Sequence, residues 1–244
     1  MGQLVFIGLG IEEEYLTLKG LEEGKSCDKL SAEFYTSREF ERLENLFGKH
    51  IEILSREEVE CGEKVIKEAE EKKVGFLVPG DAMAATTHLQ LRLLAESRGI
   101  ETRIVCGVSI ISAVPSLLGL QHYKFGRTTT LVRPKDNFFP KSPYYVIKEN
   151  FPLHTLVLLD TEPPLEANEA LRILKDMEES EHKGVFLDKT IVCIVARAGS
   201  DDCVVRAGRF GDMIDFDFGK PLHTIVIPGK LHFLEEESIK RVMI

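Results

Sequence analysis

Positive charge is what this sequence is short of: 31 Lys and Arg stand against 40 Asp and Glu, a formal net charge of −9. A surface that recruits phosphates needs a positive field, so nucleic-acid binding is not expected. A basic protein face remains an admissible partner. Long apolar runs are also missing, and none approaches the roughly 18 residues of a membrane span. The opening Met1-Gly2-Gln3-Leu4-Val5-Phe6-Ile7 has no basic segment before a strand-like run, unlike a secretory signal. Phe6 stands where a myristoylation signal needs Ser or Thr. These absences predict a soluble, cytoplasmic chain with no membrane anchor. Cysteine is sparse and irregular: Cys27, Cys61, Cys106, Cys193 and Cys203 are odd in number and never spaced C-x-x-C. Neither a disulfide framework nor a zinc site is expected, and Cys106 and Cys193 read as small core residues. The seven histidines form no H-x-x-x-H pair, and G-x-S-x-G, H-E-x-x-H and the P-loop are all absent. Serine-histidine-aspartate hydrolysis therefore has no support.

What is present is a core. At 244 residues with 43% hydrophobic and 29% charged content, the chain suits one large domain or two ordinary ones. Strand-length apolar runs at 4–7, 30–35, 51–54, 74–78 and 102–106 alternate with helical patterns. Thr17 caps a helix to about residue 26, and Phe40, Leu43, Leu46 and Phe47 recur at helical spacing up to Gly48. Ser55 and Glu58 form a capping-box spacing opening a helix to about residue 72, and further helices span 87–97 and 109–118. This alternation predicts a mostly parallel sheet with helices on both faces. After a connector at 119–126 the pattern changes, with strands at 128–132, 156–159, 191–195 and 224–227, a helix at 167–177 and a turn-rich stretch at 137–143. The reading is two α/β domains, 1–122 with a mostly parallel sheet and 123–244 with a mixed one. A cleft between domains is a favoured ligand site.

The most informative stretch is Val74-Gly75-Phe76-Leu77-Val78-Pro79-Gly80-Asp81-Ala82-Met83-Ala84. It reads as a buried parallel strand ending in a tight turn with a carboxylate at its carboxyl tip, where open α/β sheets bind ligands. Gly80 permits close approach, and Asp81 accepts hydrogen bonds from a ligand or from its own backbone. Gly8-Leu9-Gly10 resembles the start of a dinucleotide fingerprint, but Glu13 replaces the third glycine. Glu12, Glu13 and Glu14 then sit where a pyrophosphate would lie, which disfavours an anion. S-adenosylmethionine suits the same place, since it carries a cationic sulfonium and no phosphate. Ser109 reads as a site residue or a helix cap. Ala196-Arg197-Ala198-Gly199-Ser200 reads as a pocket floor or a turn, and His223 as a site or a structural histidine.

Several stretches together carry a resemblance. They are Ala32-Glu33-Phe34-Tyr35-Thr36-Ser37, Pro79-Gly80-Asp81 with Ala85-Thr86-Thr87-His88, and Ser109-Ile110-Ile111-Ser112-Ala113-Val114. Tyr123-Lys124-Phe125-Gly126, His154-Thr155-Leu156, Ala196-Arg197-Ala198-Gly199-Ser200 and Val226-Ile227-Pro228-Gly229-Lys230-Leu231-His232 complete the set. With these the chain resembles, almost end to end, the diphthine synthase family of tetrapyrrole-methylase-like (class III) methyltransferases. The resemblance implies two α/β domains, a homodimer, and S-adenosylmethionine in the interdomain cleft, leaving as S-adenosylhomocysteine. It implies repeated methylation of the amino group of an aminocarboxypropyl-histidine on translation elongation factor 2, without a metal. Carried over by motif, the donor contacts would be Ile11, Asp81, Ala84, Ser109 and Ile110, with Leu159, Ala198 and His223 from the second domain. The residues alone read Leu159 as plain core. Ala82 stands where the family pattern has Pro, and Ala84 where it has a larger aliphatic. No general base can be named. A tetrapyrrole methyltransferase of the same fold and a non-catalytic donor-binding protein are the alternatives.

Overall fold

Leu4, Val5, Phe6 and Ile7 leave no polar side chain for water on either face, and the same is true of 74–78. Strands of this kind must be covered on both sides. In a computed structural model, which describes residues 2–37, 42–135 and 138–244, they form the centre of a parallel sheet. Strands β1 (Gln3–Gly8), β2 (Lys29–Ala32), β3 (Ile51–Ile53), β4 (Lys73–Val78) and β5 (Glu101–Val105) lie in the order β3-β2-β4-β1-β5. Alternation splits the core in two: Leu4, Phe6, Val74 and Phe76 pack on one face, and Val5, Ile7, Leu30 and Leu77 on the other. Helices α1 (Leu18–Ser26), α2 (Leu43–Phe47), α3 (Arg56–Cys61), α4 (Glu63–Ala69) and α5 (His88–Ser97) connect the strands.

Local signals explain the ends. The Thr17 hydroxyl accepts the Gly20 N–H at 2.9 Å and caps α1. Gly48, at φ +67°, stops α2. Phe40 lies outside the described residues. The capping box of Ser55 and Glu58 is present, but the helix it opens does not run to residue 72. Gly62 takes φ +72° and breaks it into α3 and α4, where Leu91 packs too close to leave room for a side chain. The strand expected over 30–35 ends at Ala32. Glu33 turns the chain by accepting the Thr36 N–H at 3.2 Å and hydroxyl at 2.6 Å, and burial pushes its carboxyl above the usual range.

The chain divides into two compact units, Met1–Ile110 and Ile111–Ile244, where the sequence suggested a join near His122. The difference is helix α6 (Ile110–Leu118). Its Leu118 carbonyl accepts the Ser238 hydroxyl at 2.9 Å, and the Gln121 N–H after it donates to Glu235 at 2.9 Å, so it packs with the carboxyl-terminal residues.

The second unit is a mixed sheet in the order β6-β7-β10-β8-β9. Its strands are β6 (Thr129–Leu131), β7 (Thr155–Leu159), β8 (Ile191–Ala196), β9 (Val204–Arg209) and β10 (His223–Ile227). Only β6 and β7 are parallel. Helices α7 (Ser142–Asn150), α8 (Ala167–Glu181), α9 (Phe210–Met213) and α10 (Phe233–Arg241) complete it, and α8 buries Ala170, Leu171, Leu174 and Met177 in the core. Two elements escape the sequence pattern for identifiable reasons. Pro143 opens α7 rather than marking a loop, and β9 is an edge strand interrupted by Arg206 and Gly208. Asn137, at the start of the turn-rich stretch, lies outside the described residues.

Candidate functional site

Strand order locates a crevice in the first unit. From β1 the chain crosses to β2 on one side, and from β4 it crosses to β5 on the other, yet β1 and β4 are neighbours. Ligands bind at such a switch point, beyond the carboxyl ends of the strands. The two loops clasp there: the Gly10 N–H donates to the Gly80 carbonyl at 3.0 Å and the Gly80 N–H to the Gly10 carbonyl at 2.7 Å. Both glycines have positive φ, +84° and +72°. Gly8 and Gly107 serve close backbone approach of a different kind. A Cβ on Gly8 would lie 2.5 Å from the Gly107 nitrogen and 2.7 Å from the Gly80 oxygen. The glycines therefore let three strand tips meet one another. Only Gly80 faces open space, with nothing within 4 Å of a Cβ built on it.

The Asp81 carboxylate is turned inward. One oxygen accepts the Met83 N–H at 3.0 Å, and the other accepts the Gly107 N–H at 3.1 Å. It thus ties the loop after β4 to the loop after β5, and it reaches a ligand only through its remaining lone pairs. The same loop is pinned from beneath. Ala82 is fully buried in the core, and its carbonyl accepts from Nδ1 of His88 at 3.1 Å. His88 packs edge-on against Phe76, and burial keeps its imidazole neutral. Ala85 holds φ +56°, a strained conformation for a residue with a Cβ. Ile11, Ala84 and Ser109 are half-buried on the loops that leave β1, β4 and β5, and Ile110 is half-buried at the start of α6. The first-unit residues singled out from sequence thus gather on one edge of the sheet. Asp81→Ala is expected to weaken ligand binding by about 1–3 kcal/mol through release of the Gly107 N–H, which a calorimetric titration measures.

The acids after β1 are partly paired within the protein. Arg42 donates from its backbone and from Nε to Glu13, both at 2.6 Å, and its guanidinium also holds Glu14. One guanidinium holds two of the three carboxylates and offsets one of their charges, so repulsion of an anion is weaker than the sequence implies.

In the second unit, Leu159, Ala198 and His223 come to one end of three adjacent strands. Thr224 pairs with Leu158, and His223 pairs with Ala196. Leu159 is buried in the core, as its sequence neighbourhood suggests. Ala198 sits in the turn after β8, between Arg197 at φ +50° and Gly199 at φ +92°. His223 has both ring nitrogens occupied: Nδ1 accepts the Ala167 N–H at 2.9 Å, and Nε2–H donates to the Lys220 carbonyl at 3.0 Å. Burial lowers its basicity further. A neutral histidine bonded on both sides is not available as a general base.

Sequence reasoning missed the residue on which three motifs converge. Glu235 is fully buried. It accepts from the Gln121 N–H at 2.9 Å, His154 Nε2–H at 3.1 Å and the His232 N–H at 2.7 Å, and it is ion-paired with Lys124. His154 Nδ1 in turn accepts the Gly229 N–H at 2.9 Å. The stretches 123–126, 154–156 and 226–232 are thus spent on one internal polar hub. The spacing of His232 and Glu235, a capping box at the start of α10, is the only local signal of it. Among the described residues, no group of three or more His, Cys, Asp or Glu side chains is placed to hold a metal ion, and no helix is long and apolar enough to cross a membrane.

Comparison with known proteins matches residues 3–214 to the family model of Tetrapyrrole (Corrin/Porphyrin) Methylases. The chain is 46% identical over 254 residues to the diphthine synthase of Methanosarcina mazei, covering 98% of this chain and 95% of that protein. It is 45% identical to the diphthine synthase of Methanocaldococcus jannaschii, covering 97% of each. A crystal structure of diphthine synthase superposes with a TM-score of 0.90 at 36% identity, covering 99% of this chain and 96% of that one.

Proposed function

The chain belongs to the diphthine synthases of the tetrapyrrole methylase family, and from that premise we propose how it works as an S-adenosylmethionine-dependent methyltransferase of diphthamide biosynthesis. The acceptor is the amino group of the aminocarboxypropyl-histidine on translation elongation factor 2. The donor is held in the first unit by Ile11, Asp81, Ala84, Ser109 and Ile110, and in the second by Leu159, Ala198 and His223. The enzyme acts in the cytoplasm as a homodimer.

The observation that supports this reading is the switch-point crevice. A Cβ on Gly80 there would meet nothing within 4 Å, Ile11, Ala84, Ser109 and Ile110 around it are half-buried and uncharged, and the Asp81 carboxyl lies among them. Such a lining suits an uncharged nucleoside and a cationic sulfonium better than a phosphate. The donor supplies an already electrophilic methyl group, so the chain needs to contribute alignment rather than activation. Asp81 and the paired glycines set the loops that grip the donor, and holding donor and amine in line supplies about 7–11 kcal/mol of the barrier. His223 orients backbone and takes no proton, for the reason given by its two hydrogen bonds.

The test is incubation with labelled S-adenosylmethionine and an elongation factor carrying the precursor side chain. Mass spectrometry should show the factor gaining whole methyl groups, with activity retained in a chelator. Methylation of a tetrapyrrole but not of the factor would reverse the assignment. Donor binding without any transfer would leave a binding protein.

A further inference from the structure

The turn after β8, residues 197–203, is held from more directions than a seven-residue turn requires. Arg197 occupies the left-handed region that favours glycine, and its N–H donates to the Leu222 carbonyl at 2.8 Å. Its side chain is only 9% exposed. The guanidinium donates to the carbonyls of Phe218 at 3.0 Å, Asp202 at 2.9 Å and Lys220, and Nε lies 2.6 Å from the Asp202 carboxylate. Ser200 completes the knot, its one hydroxyl hydrogen shared between the Arg197 carbonyl at 2.8 Å and the Asp202 carboxylate at 2.6 Å. Gly219 takes φ +73°, which favours glycine, and a Cβ there would lie 3.2 Å from both terminal guanidinium nitrogens. The Lys220 carbonyl is shared, since it also accepts from His223 Nε2–H at 3.0 Å.

One side chain therefore sets two things at once: the turn that carries Ala198, and the loop 217–222 that delivers His223. Both Nη1 hydrogens and one Nη2 hydrogen go to backbone carbonyls, and Nε sits against the Asp202 carboxylate, so the side chain is engaged by the protein itself. Lysine, a point charge without the planar fork, could replace only part of this set.

We infer that Arg197 is a positioning residue for the methyl donor, acting through Ala198 and the 217–222 loop rather than by contact with the donor. This rests on the donor assignment made above. The test titrates S-adenosylmethionine by calorimetry into the wild-type enzyme and into Arg197→Lys, Arg197→Ala and Glu178→Gln. Glu178 serves as the structural control. Its carboxylate accepts the N–H groups of Gly184, Val185 and Phe186, a loop that carries no donor residue.

Arg197→Lys should raise the donor Kd at least about tenfold, and Arg197→Ala more, with the donor KM rising in step and kcat within about threefold. Glu178→Gln should lower the melting temperature and leave the donor Kd alone. A folded Arg197→Lys that binds within about twofold of wild type, or a Glu178→Gln variant weakened as much as Arg197→Lys, overturns the inference. Should Arg197→Ala fail to fold, Arg197→Lys decides. A wild-type enzyme that binds no donor strikes the donor assignment itself, and the inference falls with it.

Discussion

Replacing Glu235 by alanine is expected to cost about 3–5 kcal/mol of stability, enough to unfold much of the second unit at 37 °C. The carboxylate is fully buried and satisfies the Gln121 N–H, His154 Nε2–H, the His232 N–H and the Lys124 ammonium together. Removing it strands those donors, and an unpaired buried donor costs more than the bond it made. Chemical denaturation checks the magnitude. A loss below about 1 kcal/mol would mean that water replaces the carboxylate and that the hub is not structural.

The same hub gives stability a pH dependence of definite sign. Its hydrogen bonds and the Lys124 charge hold the Glu235 carboxyl down to about 2, from an ordinary 4.5, against the opposing effect of burial. A depressed carboxyl contributes stability that is present above its unfolded value and lost as pH falls through the folded one. That is a loss of about 3 kcal/mol between pH 4.5 and 2. Burial also lowers His88, His154 and His223 below their ordinary 6.5. These groups bind fewer protons folded than unfolded, so stability begins to fall as pH drops below 6.5. In Glu235→Gln the lower step should shrink, the remainder coming from other depressed carboxyls such as Glu23, Glu52 and Glu178, while the upper step persists through His88 and His223. Melting temperatures across the acid range separate the two steps.

Gly107→Ala is the second large effect. The new methyl would fall on the Gly80 carbonyl oxygen and against the Gly8 backbone. Backbone cannot swing aside as a flexible side chain can, so the loop after β5 must move away from the tips of β1 and β4. That movement breaks the Gly107 N–H bond to Asp81 and shifts Ser109 and Ile110 with it. Donor affinity should fall about 100-fold or more, with a stability loss of about 3 kcal/mol. Gly80→Ser, whose Cβ meets nothing but must adopt φ +72°, should strain the turn without separating the strand tips. If Gly107→Ala binds donor as the wild type does, the junction of glycines is not what shapes the site.

Much of the molecule is legible in the chain by itself, because the relevant forces are local. Continuous apolar runs at 4–7 and 74–78 force strands buried on both faces, and the alternation of Leu4 and Phe6 against Val5 and Ile7 dictates two helical layers. Thr17, Gly48 and the pair Ser55 and Glu58 mark helix ends through hydrogen bonds that span only three or four residues. The residues of the first unit that gather at the switch point were visible for the same reason, since a carboxyl-terminal strand tip can be read from its own strand.

What tertiary structure decided are the partnerships between residues far apart in sequence. Nothing beside Asp81 announces that its carboxylate would be claimed by the Gly107 N–H, or beside Gly8 that its missing side chain makes room for Gly107 rather than for a ligand. Glu235 looks like one more acid on an exposed helix until Gln121, Lys124 and His154 close around it. Arg197 looks like a solvent-facing charge until the chain near 217–222 folds over it. A pattern of apolar residues specifies which faces are buried, because burial is non-directional. Which polar groups meet within those faces depends on direction and distance, and only the packed chain supplies both.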